Sequence, residues 1–266
     1  MSEEHFESYL GQGKPGLFHR VINLSTYGLD WEALSSEIPA FPRGWFELSR
    51  LPASDRIEFT RAFWVSQLPF ISAKCNEGLE SFFDQLENIE IYATQLNPGQ
   101  PFDVYMIYVL QNDAGFFQGG PGATEEEMHV LKKQFAHISF PPDYLAFLKI
   151  HNGFSKYTDT GLIKIKDMAR IYSRFQELLQ HEELIRPDGH IIEPRNLIPF
   201  YESFGLHCYQ CYYADWYVEN EMGNVYFSEH DRTISNFLEV TSLEENLAFA
   251  TFLNWLIFYL EDIWHV

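Results

Sequence analysis

The sequence predicts an α+β fold, and three observations support this class. Apolar residues recur at three- and four-residue spacing in several segments, as they do on the buried side of a helix. Other segments alternate apolar with polar residues or are rich in β-branched and aromatic residues, as strands are. Gly and Pro separate these segments, and we find neither an internal repeat nor a low-complexity tract. At 266 residues and 46% hydrophobic composition, the chain can bury a large core.

The first 118 residues combine an irregular arm with helices and a hairpin. Residues 1–42 are interrupted by Gly and Pro, which predicts an arm and not a domain. The regular elements predicted after the arm are two helices and two strands joined by a turn, at residues 54–67, 76–86, 89–96 and 104–110. Ser54 or Asp55 can cap the first of these helices.

A glycine-rich segment, Gly115–Gly122, marks the predicted boundary between two parts of the chain. Directly after it, Thr124 and Glu127 have the spacing of a capping box, in which each side chain satisfies a free amide at the start of a helix. Later helices are predicted at 125–136, 167–185 and 247–260. The apolar run 247–260 is shorter than the ~20 residues needed to span a bilayer, so we expect it to be a buried helix.

The segment Phe140–Ser155 predicts a short helix that ends abruptly. Two prolines suit the entry and first turn, and Asp143 complements the positive end of the helix. Gly153 follows an asparagine at the far end, where both residue types tolerate the left-handed conformation that ends many helices. The helix is therefore predicted over 143–151, and the alternating segment 161–166 is predicted to be a half-buried strand.

This order of elements resembles the SUKH superfamily, which includes the yeast Smi/Knr-type cell-wall regulators and many bacterial immunity proteins. The resemblance covers about residues 119–266 and is carried by Pro142, Asp143, Tyr144, Asn152, Gly153, the segments 197–200, 212–217 and 223–227, and the pair His230-Asp231. It implies a twisted, mainly antiparallel sheet packed with helices. Residues 1–118 are then an N-terminal extension, which we expect to dock on the SUKH-like domain.

The charge of the chain disfavours some classes of partner. With 38 acidic and 18 basic residues, the formal net charge is −20, which opposes binding to nucleic acid phosphates or anionic lipid. Residues 201–266 hold eleven acids and one base, Arg232. This acidic block is either a solvated surface or a surface that steers a basic partner. Three cysteines do not form a disulfide framework, and the first residues lack the pattern of a secretion signal.

Three groups of residues have the side chains that chemistry requires. Gly119–Gly122 is followed by glutamates and lacks the lysine of a phosphate-binding loop, so a linker is favoured. Residues 207–211 contain His-Cys-x2-Cys, a spacing that zinc sites use, but no second ligand pair accompanies it. The pair His230-Asp231 has no credible nucleophile beside it, so a binding or turn role is favoured over catalysis. We therefore predict no enzyme activity, no cofactor and no metal site.

The aromatic run 209–217 points to an interface, because large amphipathic side chains anchor protein contacts and neighbouring acids discriminate between partners. Strand alternation would place residues 209, 211, 213 and 215 on one face and residues 210, 212, 214 and 216 on the other, so that one set could be exposed. The predicted partner-binding residues are Tyr213, Asp215, Trp216, Glu219, Glu221, Glu229, His230 and Asp231.

The sequence thus predicts a non-catalytic, acidic protein-binding module in the cytoplasm. The resemblance favours an immunity-type protein that binds and neutralises a toxin domain, which the acidic block predicts to be basic. Two alternatives remain, namely a regulatory scaffold of the Smi/Knr type and an uncharacterised hydrolase. We expect neither nucleic acid nor membrane as a partner.

Overall fold

The structure, a computed structural model, confirms the α+β class. The residues that it describes are 18–26, 28, 30–69, 72–157, 159–180, 183–186, 188–230 and 233–261. They divide into two units. The first comprises the described residues of 1–66, 80–121 and 154–158, and the second comprises those of 67–79, 122–153 and 159–266. Because the division is not a single cut, the docking of residues 1–118 as one extension stays a prediction.

The first unit is built on an antiparallel sheet in the order β1-β2-β3-β4-β5. Its strands are β1 (Arg20–Asn23), β2 (Leu86–Gln95), β3 (Asp103–Leu110), β4 (Phe116–Gly119) and β5 (Phe154–Lys156). Its helices are α1 (Trp31–Glu37), α2 (Arg43–Ser49), α3 (Ala53–Gln67) and the second half of α4 (Ala73–Asp84). The predicted hairpin of β2 and β3 is confirmed, whereas β1 and α1 are regular elements within the arm that was predicted to be irregular.

Aromatic rings fill the core of the first unit. Trp64 on α3 is fully buried, and its indole N–H donates a hydrogen bond of 3.1 Å to the hydroxyl of Tyr108 on β3. Phe82 and Phe83 on α4 contact the same indole ring. Ile91 lies on the same face of the sheet and packs with α1 and α2. The hairpin is therefore held by contacts with helices that precede it in the chain.

The second unit is built on a sheet in the order β12-β11-β10-β9-β6, with β13 paired to β11. Its strands are β6 (Gly161–Leu162), β9 (Leu197–Ser203), β10 (Cys208–Val218), β11 (Glu221–Ser228), β12 (Thr233–Ile234) and β13 (Ala248–Phe249), and β7 (Leu184–Ile185) pairs with β8 (Ile191–Ile192) separately. Its helices are α5 (Glu125–Gln134), α6 (Pro142–Ile150), α7 (Ile165–Leu179) and α8 (Phe252–Glu261). All the pairings in this sheet are antiparallel, as the resemblance implied.

Helices cover both faces of the second sheet. On one face, Phe175 of α7 contacts the rings of Tyr209 and Phe227. On the other face, Tyr144 of α6 packs against Tyr212, and α8 joins the same aromatic cluster. A sheet that is buried on both faces has only its edges and turns available to a partner, so the candidate site has to be sought there.

The Pro-Asp-Tyr helix with its Asn-Gly end serves the fold. One carboxylate oxygen of Asp143 accepts the amide N–H of Tyr144, and the other accepts that of Leu253 at the start of α8, at 2.9 Å. The Asn152 side-chain oxygen accepts the N–H of Ile165, and Gly153 has φ +96°. These contacts join α6 to the starts of α7 and α8, which explains why this segment identifies the fold and not a binding site.

Two sequence predictions need correction or comment. The segment 161–166 was predicted to be a strand, but β6 ends at Leu162 and α7 begins at Ile165. The bond from Asn152 to the Ile165 amide favours this early helix start, and Ile165 becomes part of the buried stripe of α7 with Met168 and Phe175. The buried helix predicted over 247–260 begins only at Phe252, as α8, because Ala248–Phe249 pair with β11 as β13. Among the described residues no helix is long and apolar enough to cross a membrane.

Candidate functional site

The β10–β11 hairpin carries most of the predicted contact residues. Glu219 and Asn220 form its two-residue turn, with φ values of +50° and +70°. Positive φ at both positions is the type I′ geometry that matches the twist of paired strands. The turn presents Glu219 to solvent, and Tyr217 before it is 52% exposed. We call residues 215–221 the hairpin tip.

A large bulge in β10 determines which way its side chains point. Tyr212 pairs with Asn224 and Tyr217 pairs with Met222, so four residues of β10 lie opposite Gly223 alone. The bulge places Tyr213 and Trp216 on the same side, where both contact Phe237. Their ring centroids lie 5.4 and 5.0 Å from the ring centroid of Phe237. Strand alternation therefore ends at Tyr213, because a bulge breaks the two-residue period of side-chain direction.

The structure separates the aromatic residues that were predicted as contacts. Tyr213 is 1% exposed and lies in the core, so its ring is not available to a partner in this structure. Trp216 is half-buried and covers Gly223, and the guanidinium group of Arg186 lies over Phe237 beside it. The expectation that one face of the run 209–216 is exposed was wrong, since α7 covers one face and α6 with α8 covers the other.

The predicted acids and their neighbours form two groups. At the hairpin tip, Asp215 is exposed and accepts a hydrogen bond of 2.7 Å from the Asn196 side chain, and Glu221 is half-buried. Glu229 and the exposed His230 follow the other end of β11, about 26 Å away for a strand of eight residues. Asp231 lies outside the described residues. The acidic block therefore does not converge on one point.

Glu229 belongs to a row of three polar side chains. The Nδ1 atom of His207 contacts the carboxylate of Glu229, and its Nε2 atom contacts the guanidinium group of Arg174. Both ring nitrogens of this histidine are therefore engaged by neighbouring side chains in this structure. The contacts of His207 with Glu229 and Arg174 suit a role in holding the turn before β10 in place.

The cysteines are placed differently from one another. Cys211 is fully buried, and burial raises the pKa of its thiol well above the ordinary value, which disfavours the reactive thiolate. The half-buried Cys208 directs its Sγ atom to the carbonyl of Leu206 and the hydroxyl of Ser228. No group of three or more potential metal-ligating side chains occurs among the described residues. The absence of enzyme activity stays a prediction.

The structure also shows exposed apolar side chains that the sequence analysis did not single out. Phe204 and Leu206, in the turn between β9 and β10, are 53% and 67% exposed. Ile185 and Ile191 pair across β7 and β8 and are also largely exposed. The sequence made no prediction of exposure for these residues, because no local feature distinguishes an exposed apolar residue in a turn from a buried one.

Comparisons with known proteins place this fold in a family. The model of the SMI1 / KNR4 family (SUKH-1) matches residues 122–255, which is half of the chain. Neither the search of curated proteins nor the search of solved structures found a match. The matched range contains the whole sheet of the second unit and the helices α5 to α7. The chain therefore belongs to the SMI1/KNR4 (SUKH-1) family.

Proposed function

We propose that the chain is a non-catalytic protein-binding module whose partner is a basic protein. The observation that carries this proposal is the hairpin tip, where Asp215, Tyr217 and Glu219 are all exposed within five residues of the chain. Tyrosine is one of the residue types that contribute most to protein interfaces, and charges beside it favour a partner of opposite charge. The net charge of −20 adds a long-range attraction for a basic protein.

Within the family, we propose an immunity-type role, in which the chain acts in the cytoplasm and blocks a basic toxin domain. Electrostatic steering supports this role because a protective protein has to capture its target rapidly, and complementary charge accelerates association by roughly 10 to 10³-fold. Neither nucleic acid nor a membrane surface is the expected partner, since both carry the same sign of charge as this chain.

Co-expression tests the immunity role. The product of the gene adjacent to this one would be expressed alone and together with this protein, and growth would be scored. We expect the adjacent product to arrest growth and this protein to restore it. A matched variant with Asp215→Asn and Glu219→Gln, which keeps the shape of the side chains, should restore growth less well. Arrest that this protein does not relieve, with no complex between the two purified proteins, would remove the immunity role.

A regulatory scaffold of the Smi/Knr type is the second candidate function. The observation that favours it is the presence of several separate exposed apolar groups, including Phe59 and Phe63 one turn apart on α3 and the Ile185–Ile191 pair. A scaffold would use such groups for different partners, with weaker binding to each and no effect on growth arrest. Substituting one group at a time and measuring the loss of individual partners separates this function from the immunity role.

A further inference from the structure

The turn between β9 and β10 has a geometry that its sequence does not favour. We call residues 203–207 the apolar turn. The amide of Leu206 donates to the carbonyl of Ser203 at 2.9 Å, and the central residues Phe204 and Gly205 have φ values of +48° and +67°. This is a type I′ turn, which favours Asn, Asp or Gly at both central positions. Gly205 fits this requirement, whereas Phe204 does not.

Packing within the protein does not offset the backbone strain of Phe204, because much of its side chain is exposed. A bulky residue with positive φ is an outlier that costs backbone strain, and Phe204 is 53% exposed. Leu206, two residues later, is 67% exposed. An asparagine at position 204 would satisfy the same turn without strain. The fold alone therefore gives no reason for a phenylalanine here.

Hydrogen bonds hold the strained conformation in place. Asp159 is 7% exposed, and one of its carboxylate oxygens accepts the amide of Phe204 at 2.8 Å, while the other accepts the hydroxyl of Tyr259 at 2.7 Å. At the other end of the turn, the carbonyl of His207 accepts the amide of Glu229. The turn is thus a rigid support for two exposed apolar side chains. Rigid anchors lose little conformational entropy on binding.

We propose that Phe204 and Leu206 are the anchor by which this protein enters an apolar pocket on its basic protein partner. This inference rests on the proposed function and adds the residues that supply apolar contact to it. Charge selects the occupant, because the formal net charge is −20 and residues 201–266 hold eleven acids and one base. A second copy of this chain and an anionic membrane both carry the wrong charge. The anchor and the hairpin tip lie at opposite ends of β10, so the tip steers the partner and the turn holds it.

Three variants test the anchor. Phe204→Asn removes the ring and relieves the strain, Leu206→Asn removes an apolar side chain at a position without positive φ, and Val130→Ala changes an exposed apolar residue on α5 as a control. Thermal unfolding, binding to the purified product of the adjacent gene and sedimentation with phosphatidylcholine vesicles would be measured for each. We expect Phe204→Asn to raise the unfolding midpoint by about 2 to 4 °C and to weaken binding about 10-fold or more.

The other variants separate strain from contact. Leu206→Asn should weaken binding without raising the midpoint, and Val130→Ala should bind like the wild type. A lower midpoint for Phe204→Asn would show that the ring serves the fold, and unchanged binding by both turn variants would show that it is no anchor. Vesicle binding that depends on Phe204 would assign the turn to a membrane and overturn the proposal. No binding by the wild type would instead contradict the proposed function.

Discussion

Replacing Gly223 with alanine should destabilise the second unit, because Trp216 occupies the space of the added methyl group. A Cβ atom at position 223 would lie 2.6 Å from Cζ3 and 2.9 Å from Cδ2 of the indole, far inside van der Waals contact. Gly223 has no positive φ, so the effect is steric alone. Overpacking of this kind costs about 1–3 kcal/mol. Displacing Trp216 from Phe237 adds about 1 kcal/mol for the lost aromatic pair.

Urea unfolding followed by circular dichroism measures this loss, which we expect to be about 2–4 kcal/mol. Gly44→Ala is the matched control, since a Cβ atom there meets nothing within 4 Å on α2, and it should be neutral or stabilising by up to about 1 kcal/mol. In a Trp216→Ala background, Gly223→Ala should cost less than about 1 kcal/mol. An equal cost in both backgrounds would refute the reasoning, because the indole would then not be the obstacle.

Three further predictions concern buried groups. Tyr212→Phe should stabilise the protein by about 1 kcal/mol in urea unfolding, since the buried hydroxyl has no hydrogen-bond partner among the described residues; a loss would show that a partner exists. Asp159→Ala should destabilise it by about 2–4 kcal/mol because it removes the acceptor of the Phe204 amide and of the Tyr259 hydroxyl, and an unchanged free energy of unfolding would contradict those bonds. Burial raises the pKa of Asp143 above its ordinary value of 3.8, so its contribution is present below pH 3.8 and lost as the pH rises through the folded-state pKa. The free energy of unfolding of the wild type minus that of Asp143→Asn should therefore fall as the pH rises above 3.8. A rise of this difference with pH would contradict the raised pKa.

Local patterns predicted the elements whose stability is local. The capping box of Thr124 and Glu127 is present at the start of α5, with the hydroxyl and carboxylate each accepting the other residue's amide. The helix of Asp143 begins and ends within one residue of its prediction. These elements depend on residues three or four positions apart, so a single segment contains the whole signal.

Features that depend on distant residues were not predictable in the same way. The bulge of β10 follows from how Trp216 fits over Gly223 on the next strand, and neither residue alone indicates it. Buried polar groups also join β1 to β2, where the hydroxyl of Tyr92 accepts a hydrogen bond from Asn23 and donates one to Glu90. The pattern of β2 shows only a strand with two charged residues, Glu87 and Glu90.

The candidate site was predicted in part for the same reason. The sequence identified the acids of the hairpin tip because they are concentrated in one segment of the chain. It did not separate Tyr213 in the core from Tyr217 at the surface, since burial depends on which helices cover the sheet. Phe204 escaped notice because its strain appears only in the backbone angle of the folded turn.

The dependence of association rate on ionic strength tests the central claim, which is that this acidic protein binds a basic protein partner. The rate of binding to the product of the adjacent gene would be measured by stopped-flow fluorescence at low and high salt, for the wild type and for the Asp215→Asn, Glu219→Gln variant. We expect the wild-type rate to fall by about 10-fold or more as salt rises, and the variant to start lower with a shallower fall. Rates that are independent of salt and equal in the two proteins would contradict the account.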